Sequence, residues 1–376
     1  MRRRQFTQAA AAGVASFGLA QCQQQTGSNS TPSSRSQADS PAIRWRMATS
    51  WPKTLDIMFG AAELFCRRVS IITEGQFTIT PYAAGEITSG LAVLEAVAAE
   101  TVECGHTSSH YYLAENPALA FSSSVPFGLT AQQQNAWLFQ GGGLEAMQNL
   151  YAGFGVINFP AGNTGGQMGG WFNTEVNRLA DLQGLKMRIP GLGGQIMRSL
   201  GVEVIVLAAD EIVAALTNQE IEAVEWVGPY DDERLGLDQA ASYYYQPGWW
   251  SPSETVDVLV NLAQWQQLPA KYQDVLRLAA AEVNLIMLSR YNAANGAALK
   301  RVIAKGTQLK SYSPEILAAA NTAALEYYAQ TAEANSDFRQ IYQQWRKFKQ
   351  EISQWNRINE FSFAEFAFED NQLLQL

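Results

Sequence analysis

Residues 43–49, IRWRMAT, alternate Ile43, Trp45 and Met47 with polar or small neighbours, the period-two pattern of a strand. Residues 56–73 then carry Ile57, Met58, Ala61, Leu64, Phe65 and Val69 at helical spacing. Residues 77–80, FTIT, read as a second strand closed by Pro81. Residues 89–100 form a short Ala-rich helix with Leu91, Leu94 and Val97 on one face, and 102–106, VECGH, read as a third strand. Strand, helix, strand, helix, strand in this order predicts a parallel sheet with helices packed outside it.

The alternation recurs downstream. A helix over 131–152 precedes a strand at 155–159; strands follow at 185–189, 202–207, 223–227 and 255–261, with helices over 191–200 and 210–217 between them. Residues 263–305 and 314–350 are long, helical and rich in Ala, Leu, Gln and Tyr. The α/β body therefore divides into a first lobe over mainly 42–160 and a second over mainly 161–262. The segments from 263 to 376 complete the lobes and form a C-terminal tail. In such sheets a ligand sits at the carboxyl ends of strands, here in the crevice between lobes.

The chain of 376 residues is long enough for two domains or three. Residues 1–21, MRRRQFTQAAAAGVASFGLAQ, have the arginines and mildly apolar run of an export signal, and Arg3-Arg4-Gln5-Phe6 fits the twin-arginine type. Cys22 stands where a lipid anchor would be attached, although Gln21 replaces the usual small residue before it. Residues 22–41 are Ser- and Gln-rich and read as a flexible linker. Without residues 1–21 the 26 Lys and Arg fall to 23 against 35 acids, a net charge of −12, which argues against nucleic acid as a partner. No apolar run of about 20 residues follows residue 30. With two His and three Cys the usual zinc sets are hard to build, and Cys66 and Cys104 read as small buried side chains.

Few residues suggest chemistry. Arg188 ends a strand before Pro190-Gly191; its planar fork matches a carboxylate in two parallel hydrogen bonds, but a surface loop Arg would look the same. Glu225-Trp226 ends another strand, as a metal ligand, a partner for Arg188 or an exposed pair. Gln167 lies in GGQMGGWF, residues 165–172, where glycines permit close backbone approach and a turn is the simplest reading. Tyr243-Tyr244-Tyr245 and Trp249-Trp250 bracket Pro247-Gly248 as a pocket lid or as core. His106 and His110 lie four apart with no third ligand near, which argues against a metal pair. No Ser-His-Asp set or Gly-x-Ser-x-Gly elbow is visible, so the residues point away from an enzyme.

Several strings together carry a resemblance: Thr49–Lys53 (TSWPK), Gly105–Tyr112 (GHTSSHYY), Val125–Leu129 (VPFGL) and Gln134–Trp137 (QNAW). Later come Gly162–Phe172 (GNTGGQMGGWF), Gly184–Gly194 (GLKMRIPGLGG), Glu225–Tyr230 (EWVGPY) and Tyr243–Trp249 (YYYQPGW). The chain resembles the solute-binding proteins of TRAP transporters (tripartite ATP-independent periplasmic transporters, DctP type), in the branch that takes 2-oxoacids and related monocarboxylates.

That resemblance implies two α/β lobes of the periplasmic-binding-protein fold, hinged together and closing on one small carboxylate. It implies that Arg188 grips the carboxylate, that Tyr112 or Tyr111 helps to hold the ligand, and that Gln167 and Trp226 contact it. It further implies a Na+ or Ca2+ ion held by Gln167, the Glu225 carboxylate and the Trp226 carbonyl. One position departs from the pattern: relatives commonly carry Glu where Ser251 stands, which weakens Ser251 as a metal ligand, and Glu254 is a nearby acid. The implied location of the chain is the periplasm, and the implied partners are the membrane permease subunits and a second copy of the chain through residues 314–358, unless that tail packs across its own lobes. The rivals are a C4-dicarboxylate or glutamate binder, which would need a cation beyond Arg188, a secreted enzyme, and a sensor subunit.

Overall fold

The structure is a computed structural model and describes residues 42–368. The export signal, Cys22 and the linker lie outside the described residues. The strands are β1 (Ile43–Thr49), β2 (Phe77–Tyr82), β3 (Cys104–Thr107), β4 (Val156–Asn163), β5 (Trp171–Phe172), β6 (Lys186–Arg188), β7 (Glu203–Ile205), β8 (Ala223–Val224), β9 (Tyr243–Gln246), β10 (Thr255–Asn261) and β11 (Gln308–Ser311). They form a five-stranded sheet ordered β2-β1-β3-β10-β4 and a six-stranded sheet ordered β11-β9-β5-β8-β6-β7.

The alternation of β1 buries Trp45 and Met47, and β1 runs parallel to β2, with Ile43 opposite Phe77, and to β3, with Met47 opposite Cys104. The connecting helix Met58–Ile72 buries Met58, Ala61, Ala62, Phe65, Cys66 and Val69 along one face. Pro81, expected to close β2, lies inside it, paired opposite Met47. Cys66 and Cys104 are free and buried. Strand β10 falls in the stretch assigned mainly to the second lobe, yet it runs antiparallel between β3 and β4 in the first sheet. Every residue of β10 is buried because both faces of the sheet are covered.

In the second sheet β6 is parallel to β7 and β8, while β5 runs antiparallel to β8 and β9. The glycine run before β5 serves close packing: a Cβ on Gly170, at φ +83°, would lie 2.8 Å from the Val224 carbonyl oxygen. Tyr244 and Tyr245 are buried core on β9, and Trp249 and Trp250 are buried beyond it.

The helix Ala270–Ala304 packs on β4 and helix Met58–Ile72 of the first lobe and on helix Pro229–Leu235 of the second. Two consecutive residues tie it to both. Arg290 bonds Asp56 of the first lobe at 3.2 Å, and the Tyr291 hydroxyl donates to Asp231 of the second at 2.6 Å. Asp56 also pairs with Arg234 of the second lobe at 2.9 Å. The tail helices do pack across their own lobes: Pro314–Ala334 lies on helix Gly191–Ser199, and Ser336–Asn356 buries Phe338, Ile341 and Trp345 against the first lobe. Beyond that contact Trp355, Ile358, Phe361, Phe363, Phe366 and Phe368 are exposed. No described helix is long and apolar enough to cross a membrane.

Candidate functional site

Strands β6 and β8 lie side by side in parallel, with Arg188 opposite Val224. Arg188 closes β6 and Glu225 follows β8, so both side chains leave from the carboxyl ends of adjacent strands. The Glu225 backbone N–H donates to the Arg188 carbonyl at 2.9 Å, which fixes their register. Arg188 Nη1 donates to Glu225 Oε2 at 2.9 Å and to the Glu225 carbonyl at 2.8 Å, and Nε reaches the Leu207 carbonyl at 3.3 Å. The guanidinium carbon lies 5.0 Å from the centre of the Trp226 ring. Arg188 is only 1% exposed, so the surface-loop reading fails.

The first lobe presents the matching ends. Trp51 follows β1, and His110 and Tyr111 stand in the short turn Ser109–Tyr112 after β3. Glu254 immediately precedes β10, whose antiparallel course puts its start at this same sheet edge. Trp51, His110, Tyr111 and Glu254 close over Arg188, Glu225 and Trp226 around a cavity of about 10 Å³. A second of about 10 Å³ lies between Glu225, His110, Trp250 and Ser251, and a third of about 140 Å³ opens outward past Pro190 and Arg198. A wider cavity of about 540 Å³ behind Tyr111 and Tyr112 is lined by Glu95, Glu115 and apolar side chains, with no cation to attract an acid.

Burial dominates the electrostatics. It raises the Glu225 carboxyl to about 8; the Arg188 guanidinium opposes this, and the Glu254 and Asp232 carboxylates add to it. Burial lowers His110, against the pull of Glu254 and with the push of Arg188, and it raises the Tyr111 phenol. His106 is a different case. Its Nδ1 accepts from Trp51 Nε1 at 2.8 Å, its Nε2 meets the Ala161 carbonyl at 3.1 Å, and burial pushes it down to about 4. It is a neutral core histidine.

Of the two candidate tyrosines, Tyr111 lines the small cavity and Tyr112 turns away: its hydroxyl is taken by Thr107 at 2.7 Å and the Leu94 N–H at 3.3 Å. Gln167 is buried beside the site, its Nε2 donating to Glu254 Oε2 at 2.8 Å and to Thr164 Oγ1 at 3.2 Å. Ser251 lines the neighbouring cavity and not the one at Arg188, and its carbonyl accepts from the Gln167 N–H at 3.2 Å. Two further side chains that the sequence pattern does not single out line the cavity. His110, spaced in sequence only with His106, has Nδ1 facing Ser108 Oγ at 3.0 Å and Glu254 Oε1 at 3.4 Å. Glu254, in sequence only an acid near Ser251, is the other. A charged residue directly before the alternating Val256, Val258 and Val260 of β10 is its one sequence signal.

The buried polar atoms at or beside this site with no hydrogen-bond partner among the described residues include Arg188 Nη2, Gln167 Oε1, His110 Nε2, Trp226 Nε1 and Trp250 Nε1. A cationic donor without a partner suits an anion. The free amide oxygen with the Glu225 and Glu254 carboxylates suits a hard cation. Among the described residues no three His, Cys, Asp or Glu side chains converge on one point, so such a cation would also use amide, backbone and ligand oxygens.

The bacterial extracellular solute-binding protein family 7 matches residues 47–335. A monocarboxylate 2-oxoacid-binding periplasmic protein of Nostoc sp. is 54% identical over 98% of this chain and 99% of its own. A TRAP transporter solute-binding protein of Bordetella bronchiseptica, crystallised as a dimer with calcium and picolinate, is 40% identical over 89% of this chain and all of its own, with a TM-score of 0.88. One of Pseudoalteromonas atlantica with bound sodium and pyruvate is 32% identical over 86% of this chain and 98% of its own, with a TM-score of 0.84. The strand-end site and the two-lobed fold thus sit on a sequence match across most of the chain, and the chain belongs to the bacterial extracellular solute-binding proteins of family 7.

Proposed function

We propose that this protein is the extracytoplasmic solute-binding subunit of a TRAP transporter, which captures a 2-oxoacid such as pyruvate, or a lactate-like monocarboxylate, and delivers it to membrane permease subunits. The observation that carries this reading is Arg188: a guanidinium 1% exposed, at the carboxyl end of a strand between two lobes, with Nη2 unpartnered among the described residues. The ligand carboxylate takes Nη2 and competes with Glu225 for Nη1. Tyr111 and His110 cover it from the first lobe, and Trp226 supplies the apolar floor. Separation of the lobes admits the acid, since the cavities at Arg188 are too small for it as they stand, and closure excludes water.

Sodium or calcium accompanies the acid, as the ions named with the solved relatives support. Glu225, Gln167 and the Trp226 carbonyl hold the ion; Ser251 shares the neighbouring cavity with Glu225 and offers only an uncharged hydroxyl there. The ion's charge offsets that of Glu225 and the ligand, which would otherwise repel each other. With Glu225 turned to a cation, Arg188 Nη1 is free for the ligand. The chain works by binding and without covalent chemistry. Ser108 and Glu254 both face the same nitrogen of His110, so the ring does not link a nucleophile on one side to an acid on the other.

The protein is exported by the twin-arginine signal to the periplasm. The exposed aromatic face of residues 355–368 pairs two copies, a reading supported by the dimer of the Bordetella relative. Calorimetric titration of pyruvate, lactate, succinate and glutamate, each with and without calcium or sodium, tests the ligand class. A monocarboxylate is expected to bind in a cation-dependent way. Binding of succinate or glutamate alone would move the protein to the dicarboxylate reading.

A further inference from the structure

We propose that Lys349, on the tail helix Ser336–Asn356, is a positioning residue for the ligand cleft: it fixes the backbone of Phe127, and Phe127 in turn fixes the crossing Trp249–Ser251 between the two sheets. That the cleft takes a small carboxylate rests on the reading above; that a side chain of the tail sets the cleft wall goes beyond it.

The crossing, residues 247–254, leaves β9 of the six-stranded sheet and enters β10 of the five-stranded one. On it Trp250 and Ser251 line the cavity they share with Glu225 and His110, and the Ser251 carbonyl accepts from the Gln167 N–H. A shift of this segment therefore moves one wall of the site together with the backbone of Gln167. Residues 124–129 of the first lobe hold it at three points. The Phe127 N–H donates to the Trp249 carbonyl at 2.8 Å, and the two rings stack with centres 5.2 Å apart. Ser124 Oγ donates to the Trp250 carbonyl at 3.2 Å, and Ser253 Oγ donates to the Leu129 carbonyl at 3.1 Å.

The holding loop needs support of its own. Phe127 has φ +53°, in the left-handed region that disfavours any residue with a Cβ. Relaxation to negative φ would turn its N–H and its ring off Trp249. Two side chains of the tail oppose this. The Tyr328 hydroxyl donates to the Pro126 carbonyl at 2.9 Å, and Lys349 Nζ donates to the Phe127 carbonyl. Lys349 is half-buried, whereas Lys347 on the same helix is exposed. Burial lowers the Lys349 amine below its ordinary range, so the ammonium pays for its place with lost water. The charge-assisted bond to Phe127 and the Trp345 ring, 5.3 Å away, offset that loss.

Hydrogen exchange on the ligand-free full chain reads the positioning without any ligand. Lys349→Met keeps the apolar stem and removes the donor. It should speed exchange of the Phe127 and Ser251 amides at least about 5-fold, with the helix Ala270–Ala304 unchanged. Calorimetry with pyruvate and calcium should show an affinity loss of about 5-fold, appearing in stopped-flow as faster release. Lys349→Arg should recover most of it, and Lys347→Met should lose nothing. Phe127→Gly accepts the positive φ but drops the ring, so its loss and that of Lys349→Met should overlap in the double variant and not add. Unchanged exchange at Phe127 and Ser251 in Lys349→Met overturns the proposal. So does a lowered melting temperature with unchanged affinity, or full additivity with Phe127→Gly, since Lys349 would then only hold the tail. If the wild type binds no pyruvate, the carboxylate reading fails, and the exchange measurement still decides the positioning.

Discussion

Asp257 in the first lobe and Glu225 at the cleft are equally deep acids in opposite situations. Burial lifts both out of the usual carboxylate range, Asp257 to about 7 and Glu225 to about 8. Each Asp257 oxygen has a neutral donor from its own lobe: Asn158 Nδ2 at 3.2 Å on one, Ser122 Oγ at 2.5 Å and Tyr151 OH at 3.5 Å on the other. Glu225 instead meets a guanidinium with an open donor and a second carboxylate across the cleft. In the first arrangement both oxygens of the acid are met from within one lobe, and it holds a strand in place. The second is charged, unfinished and shared between lobes, which is what a binding site needs before its ligand arrives. Depth alone does not tell the two apart; unmet valence does.

The sharpest way to break this contrast is Arg188→Ala. Pyruvate affinity should fall on the order of 1,000-fold by calorimetry, while the melting temperature moves little because Glu225 can take up a proton. A variant that binds normally would remove the distinction.

Next comes Asp257→Asn. An unfolded Asp gives up its proton near pH 4, whereas Asp257 keeps its proton to about pH 7. The folded state therefore binds more protons in that window, and wild-type stability declines as pH rises from about 4 to about 7. The variant should lack roughly 3–4 kcal/mol of that decline in urea titrations, and its ligand affinity should not change. A ligand effect there would make Asp257 part of the site.

The matching swap at the cleft, Glu225→Gln, should do the reverse. Cation-dependent pyruvate binding should weaken about 30-fold, with urea stability at neutral pH nearly unchanged. A large stability loss would place Glu225 with Asp257.

The smallest effect is expected for Asp56→Asn, which unties Arg234 and Arg290 at the half-exposed lobe junction. The loss should stay below about 1 kcal/mol and appear as faster ligand release in stopped-flow, weakening further with salt.

The first lobe was legible because its strands and helices are long enough to show a period. Ile43, Trp45 and Met47 marked β1, and the Met58–Val69 face marked the crossover helix. Strands β5 and β8 have two residues each and β7 has three, too short for any period, and their pairing comes from tertiary packing. Strand β10 was visible as a strand, but its insertion between β3 and β4 pairs Asp257 with Thr107 on one side and with Pro160 on the other, far apart in the chain, which no local pattern encodes. At the site, Arg188, Glu225, Trp226 and Tyr111 could be reached from strand ends and resemblance. His110 could not, because its telling neighbour, Glu254, is 144 residues away. Local spacing offered only His106, which belongs to the core.

The helix Ala270–Ala304 carries Arg290, bound to one lobe, next to Tyr291, bound to the other. Neither lobe can melt and keep this helix, and neither can lose it without exposing its own packed face. A molecule with two sheets and a cleft should therefore unfold as one unit, with a single calorimetric peak whose measured and van't Hoff enthalpies agree. Anatomical division into lobes here does not imply thermodynamic division into domains.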